Sequence, residues 1–325
     1  MTSSKPLRPA QSATSANPTP TTVNPSHDPV NPTPGPATLA DLHRTLAEWF
    51  VAHRRDLPWR REPDPWGVLV SEVMLHQTPV ARVVEPWQEW IDRWPTPAAL
   101  AAAAPADAIR AWGRLGYPRR ALRLHEAATV IVGQHDGAVP TSYERLLALP
   151  GVGPYTAAAV VSFAYRGRAA VLDVNVRRLY ARLFDGCPSA AGQVSTAERA
   201  RAEALLPTSP SAAADWAGAT MELAQLVCTA RDPDCGECPV SRHCRWLAAG
   251  QPGAAERTTR PQSYAGTDRQ VRGTIMARLR EGPATRGDID LLWPDRAQLA
   301  RALDSLVADR LAVRAGDRLL LPGDD

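Results

Sequence analysis

Four clustered cysteines are the feature that most constrains how this chain can fold. Within positions 228–244 of a 325-residue chain stand Cys228, Cys235, Cys238 and Cys244. The spacing C-x6-C-x2-C-x5-C lets short loops bring four sulfurs to one point, and in a reducing compartment such clusters indicate a metal site. An iron–sulfur cluster and a structural zinc ion both use four thiolates, so the spacing alone leaves both open. The fifth cysteine, Cys187, stands apart and is interpreted as structural.

The rest of the chain predicts an all-α fold preceded by a disordered tail. Residues 1–38 hold nine prolines and twelve serines or threonines, a composition that buries too little apolar surface to fold. From Leu39 to about residue 249, apolar residues recur at helical spacing and strand signals are almost absent. No apolar run reaches the ~18 residues of a membrane helix and no signal peptide is visible, so we expect a cytoplasmic, nucleoid-associated bacterial protein with no membrane partner.

The C-terminal part predicts a separate small module. Residues 250–267 are rich in Gly, Pro, Ser and Thr and are interpreted as a linker. Within 268–325, two helical patterns precede a predicted hairpin whose strands, 311–313 and 318–321, flank a Gly316-Asp317 turn. This order predicts a winged-helix-like module.

The charges are almost all arginine. The net charge is only +3, and Lys5 is the single lysine beside 36 arginines. One stretch free of acids carries Arg110, Arg114, Arg119, Arg120 and Arg123. It could lie along DNA phosphates or form a solvated basic face.

A glycine-containing turn between two predicted helices indicates phosphate binding. In Leu149-Pro-Gly-Val-Gly-Pro-Tyr155, Gly151 and Gly153 allow a tight hairpin, and the following helix presents free N–H groups. An ordinary helix–helix turn is the alternative interpretation.

Two carboxylates are candidate catalytic groups. Glu72 lies inside the apolar run 68–75, where a charge is costly without a partner or a function. Asp173 follows apolar residues and precedes a predicted helix. Taken singly, Glu72 could be a solvent-facing helical residue and Asp173 a helix N-cap; beside the hairpin and the cysteines they are interpreted as a catalytic pair.

These motifs together resemble one family. The chain resembles the A/G-specific adenine DNA glycosylases (MutY), of the endonuclease III-like helix-hairpin-helix superfamily, over about residues 41–249. The resemblance is carried, besides the cysteines, by Leu57-Pro-Trp-Arg60, Ser71-Glu-Val-Met-Leu-His-Gln-Thr78, Gly113-Arg-Leu-Gly-Tyr117, Leu149–Thr156, Val171-Leu-Asp-Val-Asn-Val176 and Met221-Glu-Leu223.

The resemblance implies two helical domains and a [4Fe–4S] cluster. Residues 63–166 would contain the helix-hairpin-helix, and residues 39–62 with 167–249 would form the cluster domain. Double-stranded DNA with adenine opposite 8-oxoguanine or guanine would bind between them as the partner of a monomer. The adenine would be flipped out of the duplex and hydrolysed from its sugar.

The resemblance also implies residue roles. Glu72 would be the general acid, and Asp173 would stabilise the sugar cation or trap it covalently, supported by Tyr155 and Asn175. Further positions that match DNA or base contacts are Arg60, Gln77, Tyr117, Gly151, Gly153 and Glu222. Tyr117 would wedge into the base stack; otherwise it is a core tyrosine, and Arg60 a surface arginine.

Endonuclease III attacks the sugar with a lysine. In this chain Tyr155 stands at the position that matches this lysine, and residues 6–325 hold no lysine. A monofunctional glycosylase is therefore favoured. The alternatives are a pyrimidine or thymine mismatch glycosylase of the same fold and a non-enzymatic cluster-bearing DNA-binding protein.

Three features depart from the family. His76 stands where a glutamine is usual, and Val174 replaces a small residue. Residues 262–325 are also too few for the Nudix-like domain with which many members read 8-oxoguanine.

Overall fold

The computed structural model describes residues 33–61, 63–254 and 264–324. Helices dominate these ranges. They are α1 (Pro36–His53), α2 (Pro58–Arg61), α3 (Pro65–Leu75), α4 (Val84–Arg93), α5 (Pro97–Ala101), α6 (Pro105–Trp112), α7 (Arg119–Gln134), α8 (Tyr143–Leu147), α9 (Pro154–Phe163), α10 (Val174–Tyr180), α11 (Thr196–Leu205), α12 (Pro210–Leu226), α13 (Arg245–Ala248), α14 (Asp268–Glu281), α15 (Arg286–Asp290) and α16 (Arg296–Ala308). Single 3-10 turns lie at Val80–Arg82 and Ser241–His243, and a π-helical turn at Ala181–Asp185 continues α10.

Many of the helices begin with proline in the first turn, as α1, α3, α5, α6, α9 and α12 do. Proline is favoured there because the first N–H groups of a helix have no partner within it. This use of proline corrects one predicted boundary. Helix α1 begins at Pro36 rather than near Leu39, so the predicted tail 1–38 overlaps the helix; residues 1–32 of that tail lie outside the described residues.

One continuous core joins the two predicted helical domains. Helix α3 packs on α9, and α5 and α6 pack on α7, within 63–166; α1 and α10 pack on α12 in the other part, and α9 also contacts α12. A single cluster of buried side chains extends from Leu42 to Val240 through both. The two parts therefore pack against each other, with a cleft lined by residues of both.

The C-terminal module has its own core and a three-stranded sheet. Strands β1 (Ala284–Thr285), β2 (Val313–Ala315) and β3 (Arg318–Leu320) are antiparallel in the order β1-β3-β2. The winged-helix-like arrangement agrees with the prediction, but the first hairpin strand is 313–315 and not 311–313. The reason is that Leu311 and Ala312 are buried in the module core before the chain joins the sheet.

Part of the predicted linker, residues 255–263, lies outside the described residues. Among the described helices, none is long and apolar enough to span a membrane.

Candidate active site and cluster loop

Helix α3 places a carboxyl group in an apolar environment. Asp64 caps the helix by accepting a hydrogen bond from the Gly67 N–H at 2.8 Å, and every residue from Trp66 to Met74 is buried. Glu72 is only 4% exposed. The interpretation of Glu72 as a solvent-facing glutamate is thereby excluded.

Burial makes the Glu72 carboxyl group a weaker acid than an exposed glutamate. Desolvation is the main cause that raises its pKa to about 7; the Asp173 charge adds to this, whereas a hydrogen bond from Tyr155 and the charge of Arg60 oppose it. The Tyr155 hydroxyl donates to Glu72 Oε2 at 2.8 Å. Burial also raises the pKa of Tyr155 well above its usual value, so the phenol keeps its proton and remains a donor.

Asp173 is both a helix cap and a group in the cleft. Its Oδ1 accepts from the backbone N–H groups of Asn175 and Val176 at 2.9 and 2.7 Å, and its Oδ2 accepts from the Asn175 amide at 2.6 Å. The two interpretations of this residue are therefore compatible: the cap fixes the orientation of the carboxylate toward the cleft.

The cleft has a volume of about 1410 Å³ and brings together most of the predicted site. Its lining includes Arg60, Glu72, Gln77, Tyr155, Asp173 and Asn175. Gln77 is exposed, with a left-handed φ of 54° just beyond α3. Val174, one of the departures from the family, is 72% exposed at the rim and does not fill the space.

Glu222 lies behind the cleft, not in it. It is fully buried and accepts from Arg55 at 2.8 Å and from Arg60 at 3.0 Å. Burial by itself would raise its pKa, but the hydrogen bonds from Arg55 and Arg60 outweigh this and lower the pKa to about 2. Glu222 thus fixes Arg60, which faces the cleft. Sequence reasoning missed Arg55, since a partner 167 residues away leaves no local pattern.

His76 has a structural explanation in this chain. Its Nε2 lies 3.1 Å from the Thr156 hydroxyl, and its ring is tilted against Tyr155 at 6.0 Å between centroids. Burial lowers its pKa. A neutral imidazole therefore joins the end of α3 to the start of α9.

The glycine turn lies outside the cleft, between α8 and α9. Gly151 has a φ of +79°, and a Cβ there would be 2.6 Å from Arg123 Cβ; Gly153 has an ordinary φ of −97° and open space around it. The turn therefore requires glycine at Gly151 by conformation and packing, and Gly153 leaves room for a ligand at the N-terminus of α9.

Tyr117 also lies outside the cleft. It is 50% exposed with a φ of 49°, which excludes the core interpretation. Its ring has the guanidinium groups of Arg120 and Arg269 at 5.4 and 5.3 Å from the centroid.

Four of the five arginines in the basic stretch have partners within the protein, while Arg114 is exposed. Arg110 pairs with Asp324, Arg119 with Asp309 and Arg123 with Glu126. Arg120 is structural: it donates to the backbone oxygens of Val73, Met74, His76, Leu115 and Gly116 and to the Thr78 hydroxyl. Neither predicted role, phosphate contact or solvated face, describes Arg120.

The four clustered cysteines line one largely apolar cavity, together with Val240, Trp246 and neighbouring leucines. Arg182 Nη1 lies 3.4 Å from Cys228 Sγ, and Gln251 Nε2 lies 3.2 Å from Cys235 Sγ, so N–H donors face the sulfurs. Burial raises the pKa of Cys238 to about 11 and also raises that of Cys244. A positively charged centre is needed to hold such groups as thiolates.

In the described ranges, no three His, Cys, Asp or Glu side chains converge closely enough for a single metal ion. Cys187 lies apart, its thiol 3.7 Å from the Asp185 carbonyl oxygen.

This fold and this cleft define a DNA glycosylase of the helix-hairpin-helix class. Residues 70–202 match the family model described as HhH-GPD superfamily base excision DNA repair protein, and residues 228–244 match the iron-sulfur binding domain of endonuclease III. The chain is 51% identical to the adenine DNA glycosylase of Mycobacterium tuberculosis over 285 residues, covering 86% of this chain and 93% of the relative. It is likewise 51% identical to that of Mycolicibacterium smegmatis, covering 86% and 95%. The chain therefore belongs to the adenine DNA glycosylase family.

A solved structure shares the fold. A thermostable thymine-DNA glycosylase superposes with a TM-score of 0.61 at 27% identity, over 66% of this chain and 98% of that chain. The protein is thus a base excision repair enzyme that acts on DNA and has an iron–sulfur site at the four cysteines.

Proposed function

We propose that this enzyme is a monofunctional glycosylase that removes adenine from pairs with 8-oxoguanine or guanine. The observation that carries the proposal is the cleft that buried Glu72, with its pKa raised to about 7, lines together with Asp173. The adenine DNA glycosylase relatives support adenine as the base released. We also propose that it acts as a monomer, as the family resemblance implies.

The chemistry follows from the two carboxyl groups. Glu72 gives its proton to a ring nitrogen of the flipped adenine, the N-glycosidic bond breaks, and its electron pair leaves with the base. Positive charge then develops on the sugar, and Asp173 stabilises it. Water attacks C1′ and returns a proton to Glu72. The products are free adenine and an abasic site.

The neighbours of the two groups position them. Tyr155 orients the Glu72 carboxyl group, and Asn175 orients Asp173. Arg60, held by Glu222, presents N–H donors near the base pocket. Outside the cleft, Gly151 and Gly153 would receive a DNA phosphate. Tyr117, together with Gln77 from the cleft lining, would face the base opposite the adenine.

The cluster supplies no step in bond cleavage. We propose that it is a [4Fe–4S] cluster held by Cys228, Cys235, Cys238 and Cys244, with the structural task of shaping the loop 228–244. Four irons and four sulfides per chain are expected on chemical analysis of the purified protein; one zinc per chain would contradict this.

The decisive experiment is a substrate panel. Base release is measured in single turnovers on duplexes with A:8-oxoguanine, A:G, T:G and thymine glycol, and abasic sites are revealed with alkali. We expect release from the two adenine duplexes only. Preferred release of thymine would favour the second candidate, which the thymine-DNA glycosylase neighbour motivates. No release while binding is intact would reject an enzyme of this kind.

Asp173→Asn tests the mechanism. Asparagine is also a good N-cap, so the fold and DNA binding should persist. Base release should fall by roughly a thousandfold or more, because the lost charge is needed only as the cation forms. Near-normal turnover would remove Asp173 from the mechanism. In the same reactions, borohydride should trap no covalent lysine adduct.

A further inference from the structure

The C-terminal module is fixed against the helical domain. Ala106 and Ile109 of α6 belong to the core of the module. Arg110 pairs with Asp324 at 2.6 Å, and Arg280, whose pKa burial lowers, donates to the Ile109 carbonyl at 3.3 Å. Apolar contact and buried polar contacts therefore hold the module in one orientation.

This orientation brings an arginine of the module to Tyr117. Arg269, in the first turn of α14, lies over the Tyr117 ring at 5.3 Å, and Tyr264 lies beside it at 5.9 Å. An arginine on an exposed aromatic face is retained by a cation–π attraction of about 0.5–1 kcal/mol. The guanidinium group of Arg269 is thus held at the surface beside the Tyr117 ring.

The charge of Arg269 is not neutralised within the protein. Farther along α14, Arg272 pairs with Asp309 and Arg278 lies 3.7 Å from Asp288. Arg269 is exposed and has no hydrogen-bond or ion-pair partner among residues 33–61, 63–254 and 264–324. Of these three arginines, it is the one whose donors are available for a ligand.

The surface around Arg269 is continuous with the hairpin. Helix α7 begins two residues after Tyr117, and Arg123 on its next turn packs against Gly151. Arg119, in the first turn, contacts the module through Asp309. A duplex that binds the hairpin and reaches Tyr117 would therefore pass Arg269.

We propose that the C-terminal module is a second DNA-binding element of this enzyme and that Arg269 contacts a backbone phosphate beside Tyr117. Guanidinium groups suit this role because they are weakly hydrated, stack on rings and bind phosphate with two parallel N–H groups. The proposal rests on duplex DNA being the substrate; it does not depend on which base is released.

The test measures binding of the full-length, cluster-loaded protein against salt concentration. The duplexes are undamaged DNA and A:8-oxoguanine DNA, with Asp173→Asn in every protein to prevent turnover. Arg269→Ala should bind both duplexes roughly fivefold more weakly at ~0.1 M salt, and the slope of log K against log salt should shrink by about 0.9, the value for one phosphate contact. Arg269→Lys should keep the slope.

Arg286→Ala is the matched control. Arg286 is an exposed arginine of the same module, paired with Asp290; it follows the C-terminal end of α14, a helix roughly 20 Å long at 1.5 Å per residue, whereas Arg269 lies in the first turn of that helix. It should leave affinity and slope unchanged. Equal losses in Arg269→Ala and Arg286→Ala would indicate a general charge effect and overturn the proposal.

Two further outcomes are informative. A loss confined to the A:8-oxoguanine duplex, with an unchanged slope on undamaged DNA, would mean that Arg269 only supports Tyr117, and this would reject the phosphate contact. If the wild-type enzyme releases no adenine but the slope changes as expected, the proposed function fails and the DNA contact stands.

Discussion

The Glu72 carboxyl group owes its pKa of about 7 mainly to the loss of water around it. A carboxyl group with such a pKa is about half protonated at neutral pH, so it can supply a proton to a base that leaves poorly as an anion. Tyr155 limits the shift, since its hydroxyl donates to the ionised form. The residue and its one hydrogen-bond donor together set the working pH of the site.

The pH profile of base release should have an alkaline limb. Because the protonated form of Glu72 is the active one, kcat/KM for base release should fall as pH rises through about 7. Tyr155→Phe removes a bond that lowers this pKa, so its limb should lie at higher pH. If the alkaline limb of Tyr155→Phe stays at the wild-type pH or moves to lower pH, the assignment of this limb to Glu72 is contradicted.

Single site residues could be predicted from the sequence where the neighbouring residues in the chain made them unusual. Glu72 stood out because a charge inside an apolar run is rare, and Asp173 because it separates an apolar segment from a helix start. Arg55 and the burial of Glu222 could not be predicted, since they depend on α1 and α12 packing together. Burial of a polar group by distant elements has no periodic signature.

At the scale of an element, the glycine turn offers a matched pair of substitutions. Gly151→Ala should destabilise the protein by about 1–3 kcal/mol, because alanine resists a positive φ and its Cβ meets Arg123. Gly153→Ala should cost less than about 1 kcal/mol, since its φ is ordinary and the space is open. Thermal unfolding measures the difference; equal losses would refute the assignment of these roles.

The first turn of α7 offers a second pair. Arg120→Ala leaves several backbone oxygens at the end of α3 and in the Tyr117 loop without a donor, and should destabilise by about 3 kcal/mol or more. Arg123→Ala removes an exposed pair with Glu126 and should cost at most about 1 kcal/mol. Urea unfolding distinguishes them. If the two variants were equally stable and both bound DNA with a reduced salt slope, Arg120 would be a phosphate contact after all.

Elements were predicted well where the pattern was long. Many helices of residues 39–249 have periodicity over several residues, and the hairpin of the module is marked by its Gly316-Asp317 turn, whereas β1 has two residues and α2 four. Elements this short form because neighbouring segments of the folded chain supply their hydrogen-bond and packing partners, so their own sequence carries no pattern. The basic stretch was ambiguous for the same reason, since Asp309 and Asp324 come from the far end of the chain.

At the scale of the whole molecule, the order of the motifs predicted the two helical parts and the small module. It did not predict that the module shares core residues with α6. Those residues, Ala106 and Ile109, look like an ordinary apolar helix face in sequence. The partner of an apolar face is decided by tertiary packing, and only the structure shows it.

The ion pairs of Arg110, Arg119 and Arg123 have a consequence for the salt dependence of DNA binding. Charges already paired with Asp324, Asp309 and Glu126 release few counterions from DNA. These three arginines should therefore add little to the slope of affinity against salt. The sequence-independent attraction to duplex DNA then has to come from arginines without an acidic partner, such as Arg269.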